Sequence, residues 1–372
     1  MRKFFALIWG LVSFFSCMSP SLNAQAQENL SYKGEMGFTP WPYDLTDEAV
    51  EKTYDFIHKN ATMISHHLDG GVPWEAALNG TEFPKHLRED WNRRLSHTAG
   101  MKIFLSITPV NFSRDGLAAD WTEKGDNQPL PPAWSKRSFN DPQAIQAYTN
   151  YILRAVEYFK PDYLAIGIEA NVIISKAPQK WPAYLEMNRR VYEAVKKKYP
   201  NLPVFSTVQY EHMRGIEGES KENVKDQKPG VADLMKHSDF LALSTYKYGF
   251  IHPNKITDDY FNEALSFGKP IAIAEMGAMS QTTFVMGMPL MASKKNQKEF
   301  IEMILSQAAK HKFVFVINWV PIDFDEMLGK IPSEFASIAK AWVHTGLLDE
   351  DFDAKPAYEV WTSYLKQKRR NK

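Results

Sequence analysis

The sequence predicts an α/β protein of the (β/α)8 TIM-barrel class, built as a single domain. Three observations predict it. From residue 34 onward, short β-rich apolar runs alternate with helical stretches. Most of those runs are continuously apolar rather than alternating, the pattern of parallel strands covered by helices. Eight such runs fall within about 300 residues, the strand count of a (β/α)8 barrel.

The runs are residues 35–39, 63–67, 102–108, 163–169, 204–208, 240–244, 271–275 and 313–318. Helical patterns lie between them at 47–59, 85–99, 142–159, 181–199, 258–266 and 295–310. Asp141-Pro142 supplies an N-cap followed by proline at the first helical position. Gly100 and Gly268 fall where helix C-terminal glycines belong. A doubly wound sheet is the alternative, but no Gly-rich nucleotide fingerprint follows any strand. No linker divides the body. The segments 115–137 and 213–230 follow strand ends, so on a barrel they rim the active face.

The first 26 residues read as an address. Met1-Arg2-Lys3 is a positive start, residues 4–15 are apolar, Pro20 breaks any helix, and Ala24-Gln25-Ala26 offers a small-residue cleavage site. The apolar stretch is too short to span a bilayer. Cleavage leaves 372 − 26 = 346 residues as the catalytic barrel, 27–372. The only cysteine, Cys17, lies in the leader, so the cleaved form has no thiol and no disulfide, which suits an exported enzyme, periplasmic or extracellular. The alternative is a lipid anchor: Phe14-Phe15-Ser16-Cys17 stands where a lipoprotein leader places its acylated cysteine.

Composition narrows the partners. Lys plus Arg equals Asp plus Glu at 44 each, which argues against nucleic acid or an anionic membrane as the main partner. No run after the leader is long enough to span a membrane. Aromatic residues make up 13% of the chain, enough for a large core or for a groove of stacking platforms suited to sugar rings.

Barrel sites form at the C-terminal ends of strands. The first run ends in Trp41, the second in His66-His67-Leu68-Asp69, and the third leads to Asn111. The fourth ends in Glu169-Ala170-Asn171, and the fifth leads to Gln209 and His212. The sixth ends at Tyr246, the seventh at Glu275 and the eighth at Trp319. Glu169 and Glu275 each close an otherwise apolar strand, where an unpartnered carboxylate costs several kcal/mol to desolvate. A salt bridge within the barrel explains one such glutamate. Two of them, with a tyrosine ending the sixth run and a tryptophan the eighth, point to chemistry.

The runs Phe159-Lys-Pro-Asp-Tyr-Leu-Ala-Ile-Gly-Ile-Glu169 and Pro270-Ile-Ala-Ile-Ala-Glu275-Met-Gly resemble the strand-4 and strand-7 signatures of the clan-A glycoside hydrolases, the (β/α)8 retaining glycosidases. Gly346-Leu-Leu-Asp349 followed by Lys355-Pro-Ala-Tyr-Glu-Val-Trp361 is similar to their closing motif, in outline nearest the endo-β-1,4-galactanase family. The resemblance implies Glu169 as acid/base, Glu275 as nucleophile, Tyr246 as a donor to the nucleophile and Trp319 as the floor of the sugar site. It departs at one position: the clan has asparagine before the acid/base glutamate, to contact the substrate 2-hydroxyl, and here Ile168 stands there. Asn111 and Asn171 are candidate substitutes.

Glycosidic cleavage needs one carboxylic acid to protonate the leaving oxygen and one carboxylate to attack the anomeric carbon. The Tyr246 hydroxyl is expected to favour the charged form of Glu275, and apolar neighbours such as Ile168 the protonated form of Glu169. Trp41, Trp74 and Trp319 are stacking candidates, with packing the competing role for the first two. Asp69 and His212 complete the expected substrate contacts.

No cofactor and no metal is expected. His66-His67-x-Asp69 resembles a metal set, but adjacent residues on a strand face opposite sides and cannot share one ion. No G-x-S-x-G elbow is present for a serine triad. The expected protein is a monomer acting on carbohydrate. The alternative, motivated by Ile168, is a barrel that binds glycans without cleaving them.

Overall fold

The computed structural model describes residues 31–216, 226–247, 259–285 and 287–370. The leader with Cys17, and residues 217–225 of the 213–230 segment, lie outside the described residues. Among the described residues no helix is long and apolar enough to cross a membrane.

Eight parallel strands form the barrel: β1 (Glu35–Phe38), β2 (Met63–Leu68), β3 (Lys102–Ile107), β4 (Tyr163–Ala165), β5 (Val204–Phe205 with Thr207–Gln209), β6 (Leu241–Lys247), β7 (Ile271–Ala278) and β8 (Phe315–Asn318). β1 pairs with both β2 and β8. The ring closes through β5, which is broken at Ser206. Its first half pairs with β4 and its second half with β6. The Ser206 hydroxyl leaves the ladder to donate to Asn188 Oδ1 at 2.7 Å, and it meets the Tyr184 hydroxyl at 3.2 Å.

Inward residues fill the barrel as a packed core. Met63, Phe104, Phe205, Phe315 and Ile317 meet Ala165, Ala242, Ala272 and Ala274 there. The small alanines make room for Phe104, whose ring lies 5.0 Å from that of Phe315. Helices cover the outside, and the helix Pro142–Phe159 shows why they form. Asp141 accepts from the backbone N–H groups of Gln143 and Ala144, and Lys160 closes the other end in a left-handed conformation at φ 48°. Its Ala144, Ala147, Tyr148, Tyr151, Ile152, Ala155 and Phe159 face the sheet at helical spacing. Each large side chain so buried contributes about 1.5–3 kcal/mol.

The two strand-end glutamates owe their places to irregularities. β4 stops at Ala165, short of the expected residue 169. The reason is a close approach at Gly167, where a Cβ would lie 2.1 Å from the Tyr184 hydroxyl and 2.7 Å from Ser206 Oγ. The chain therefore turns away, and Glu169 sits beyond the ladder at φ 48°. Its N–H donates to Thr207 Oγ1 at 2.8 Å. β7 runs three residues past its expected end, and its register against β6 shifts between Ile273 and Glu275. Such bulges redirect a side chain.

Two hairpins stand over the mouth. One (Asp120–Thr122 with Gly125–Gln128) falls inside the segment expected to be a loop after the third strand, and the other (Gln281–Val285 with Met288–Ser293) follows β7. At the floor, the C-terminal helix Pro356–Arg370 clasps the start of β1. Lys368 Nζ donates to the carbonyls of Lys33 and Gly34 at 3.0 and 2.7 Å and pairs with Glu35 at 2.9 Å. Trp361 Nε1 donates to Asn60 O at 2.8 Å.

Candidate active site

Glu275 stands at the C-terminal mouth with its side chain only 8% exposed. Tyr246, beside it on β6, donates its hydroxyl to Glu275 Oε2 at 2.8 Å. His67 Nδ1 lies 3.4 Å from the other oxygen, and His67 Nε2 lies 3.6 Å from Asp69 Oδ2. The edge of the His67 ring meets Trp319 at 5.2 Å and 83°. Trp41 lies 6.3 Å from Trp319, tilted by 31°. Trp342 meets Tyr246 at 6.4 Å. One wall of the mouth is thus aromatic and surrounds a buried carboxylate.

Glu169 enters from the other side. Its carboxylate accepts from Arg114 Nη2 at 3.1 Å, with both side chains largely covered. Arg114 sits at φ 59° in the turn after β3. Asn111 builds that turn: its side-chain oxygen accepts from the N–H groups of Asp115 and Gly116, and its amide donates to Asp115 Oδ1 at 2.7 Å. The Arg114 N–H in turn donates to Asn111 O.

The electrostatics correct one expectation. Burial pushes Glu275 up to about 7. His67 pulls it back, the Glu169 charge pushes it further, and Tyr246 and Arg114 pull it back again. The Tyr246 bond favours the charged form of Glu275, as expected, and desolvation outweighs it. Glu169 was expected among apolar neighbours, and it has an ion-pair partner instead. Ile168 is itself buried, and the ion-pair partner of Glu169 comes from a loop 55 residues earlier in the chain. Burial pushes His67 down, yet the charges of Asp69, Glu275 and Glu169 bring it above its ordinary value. The crowding of the mouth acts to raise Asp69, although its side chain is mostly exposed, and His67 and Arg114 leave its carboxyl below the usual range.

The expected site residues divide into those at the mouth and those behind it. Glu169, Glu275, Asp69, Tyr246, Trp41 and Trp319 come together. Asn171, expected to face substrate, is turned into the fold. It is fully buried, its amide donates to Gln209 O and Gln227 Oε1, and its oxygen accepts from Gln209 N. Asn111 is likewise committed to its own turn. His212 lies in the short helix Tyr210–Arg214, half-buried, with its backbone N–H on Gln209 Oε1. Trp74 is core: it is fully buried, donates to Ala118 O at 2.9 Å and packs on Trp134 at 5.1 Å. The histidine pair splits as strand geometry requires. His66 points outward to Thr98 Oγ1 at 2.9 Å, while His67 points to Glu275.

Arg114 and His67 are the residues that sequence reasoning missed. Strand alternation identifies His67 as the inward member of its pair; nothing in the local pattern marks Arg114. A second cluster lies past β8, where Asp323, Asp325 and His344 bring one ligand atom each within 4.8 Å of one another. Asp323 is already matched there by Lys355 Nζ at 2.5 Å and by the Gly346 N–H at 2.9 Å.

No family model matches the chain, and no curated protein matches its sequence. Its likeness is to solved structures. An exo-β-1,4-mannosidase from Opitutaceae bacterium strain TAV5 is 15% identical with a TM-score of 0.63, covering 92% of this chain and 62% of the mannosidase. This chain therefore spans less than two thirds of that enzyme's length. Xylanase 10B from Thermotoga maritima is 15% identical with a TM-score of 0.59, covering 95% of this chain and all of the xylanase. GH5_18 from Streptomyces cattleya, solved with GlcNAc, is 12% identical with a TM-score of 0.60, covering 92% of this chain and 82% of its own. At such identities the likeness is one of fold: the chain has the TIM-barrel fold of these glycosidases.

Proposed function

We propose that this protein is an exported retaining glycoside hydrolase that cleaves a poly- or oligosaccharide, with Glu275 as nucleophile and Glu169 as acid/base. One observation carries this: two carboxylates from β7 and from the turn after β4 share one mouth, close enough for the charge of Glu169 to raise Glu275. The Tyr246 hydroxyl on Glu275 and the Trp41–Trp319 wall fit the same function. In the first step the Glu275 carboxylate bonds to the anomeric carbon as the glycosidic bond breaks, and the Glu169 proton passes to the leaving oxygen. In the second, water attacks that carbon, gives its proton to Glu169 and releases Glu275.

Glycosidases among the fold neighbours support the reaction class. The leader in residues 1–26 supports export, and the closing motif at 346–361 supports kinship with endo-β-1,4-galactanases. The test is a polysaccharide panel read by new reducing ends, followed by proton NMR of the first anomer released. Retained configuration is expected. Binding without cleavage would favour the non-catalytic barrel, for which Ile168 is the motive.

A further inference from the structure

We propose that His67 is a catalytic residue of this cleft: its Nδ1 donates to the 2-hydroxyl of the sugar bound over Glu275 as the nucleophile attacks. The inference rests on the glycosidase function above and assigns a contact within its first step.

A retaining glycosidase gains rate from hydrogen bonds to the 2-hydroxyl that strengthen in the transition state. Ile168, the residue before Glu169, is buried and apolar and cannot make one. The Asn111 side chain is spent on its own turn, and that of Asn171 is bonded to Gln209 and Gln227 behind the mouth. Arg114 meets Glu169, on the side of the leaving group. The 2-hydroxyl stands on the carbon next to the one Glu275 attacks, so its partner belongs beside Glu275.

His67 is placed there. Tyr246 holds Glu275 Oε2 at 2.8 Å, which leaves Oε1 as the attacking oxygen. His67 Nδ1 lies 3.4 Å from Oε1. A donor that near the attacking oxygen also reaches the oxygens flanking the anomeric carbon. The ring oxygen gives up electron density in the oxocarbenium-like state and accepts poorly. The 2-hydroxyl keeps its lone pairs.

The donor is held in advance. Its side chain is 9% exposed, its edge rests against Trp319, and Asp69 Oδ2 lies 3.6 Å from Nε2. Burial acts to lower the His67 pKa, but the charges of Asp69, Glu275 and Glu169 bring it above its ordinary value. That favours a proton on each ring nitrogen. The 3.4 Å separation from Oε1 is longer than a normal hydrogen bond, so His67 is not committed to the carboxylate. As Oε1 bonds to the anomeric carbon it loses its negative charge and its hold on the imidazole. The N–H then passes to the hydroxyl. An interaction that grows as the bond forms lowers the barrier rather than tightening the ground state.

The experiment is a double cycle on the full chain. The polysaccharide panel identifies the glycan cleaved. Its di- and trisaccharides are made as 2,4-dinitrophenyl glycosides, with and without the 2-hydroxyl on the reducing sugar. This leaving group needs no proton, so Glu169 drops out of the comparison. kcat/KM is read on the plateau of each variant's own pH profile, which removes any change in the charge of Glu275. Removing the 2-hydroxyl should lower the native value about a hundredfold or more, and His67→Ala should do the same on the parent substrate. The two changes together should cost within about fivefold of either alone. His67→Gln, which keeps an amide donor, should recover part of the rate on the parent and none on the 2-deoxy substrate. If His67→Ala does not fold, His67→Phe keeps a ring against Trp319 without a donor and takes its place in the cycle. Losses that multiply, or full activity without His67, overturn the inference and leave the glycosidase standing. If the panel yields no cleaved glycan, both fall.

Discussion

Tyr246 and Glu275 face each other from adjacent strands, joined by a 2.8 Å hydrogen bond from the phenol to one carboxylate oxygen. The donor favours the charged carboxylate, while burial and Glu169 favour the neutral form and leave Glu275 at about 7. A nucleophile must be ionised, so kcat/KM should fall below about pH 7 on the acid side of the profile. Tyr246→Phe removes the donor and should move that limb to higher pH. An unmoved limb would detach Glu275 from the role of attacking group.

The same shift has a stability consequence. A carboxyl raised on folding stabilises the folded state fully below its unfolded value of 4.5, and that contribution is lost as pH rises through about 7. The loss amounts to up to about 3 kcal/mol. Glu275→Gln is neutral throughout. It should therefore melt later than the native protein above pH 7, with the gap closing by pH 4. Thermal scans across this range decide the point.

The two glutamates should differ in what rescues them. Glu275→Gly should abolish turnover, and azide should restore cleavage with inverted product. Glu169→Ala should lose about 10²–10⁴-fold on natural glycans, yet keep the first step on aryl glycosides whose leaving group needs no proton. Identical behaviour of the two variants on activated substrates would contradict separate roles.

Trp319 touches both His67 and Trp41 at the mouth and is only partly buried. Trp319→Ala should cost about 1–3 kcal/mol in kcat/KM through lost stacking, with the melting transition preserved. Full activity, or a variant that does not fold, would make it a packing residue.

Lys355 and Asp323 form an ion pair from which water is almost wholly excluded, with Lys355 also donating to Gly346 O at 3.1 Å. Lys355→Met should destabilise the fold by about 3–5 kcal/mol, because it strands a buried carboxylate. Adding Asp323→Leu should recover much of that loss in a denaturant titration. No recovery would mean that Lys355 acts through its packing.

The barrel was legible because it rests on local pattern: continuous apolar runs, helix caps and the strand count. Glu275 and Tyr246 were legible for the same reason, each being a polar residue ending an apolar run. Arg114 was not, because its meeting with Glu169 depends on a turn shaped by Asn111 and on β4 ending early at a close approach near Gly167. Asn171 misled in the opposite way. A polar residue just past a strand end suits a sugar contact, but the split of β5 leaves backbone groups at Gln209 that Asn171 satisfies instead. The residues nearest the chemistry are thus fixed by interruptions in the regular pattern, which hydrophobic period does not encode.

The clasp of Lys368 on Lys33, Gly34 and Glu35 fixes where the barrel can be tethered. Lys33, Gly34 and Glu35 lie at the floor, and the mouth with Glu169 and Glu275 opens at the opposite end. A protein held to a surface through its leader side would present its cleft outward, toward long chains arriving from the medium.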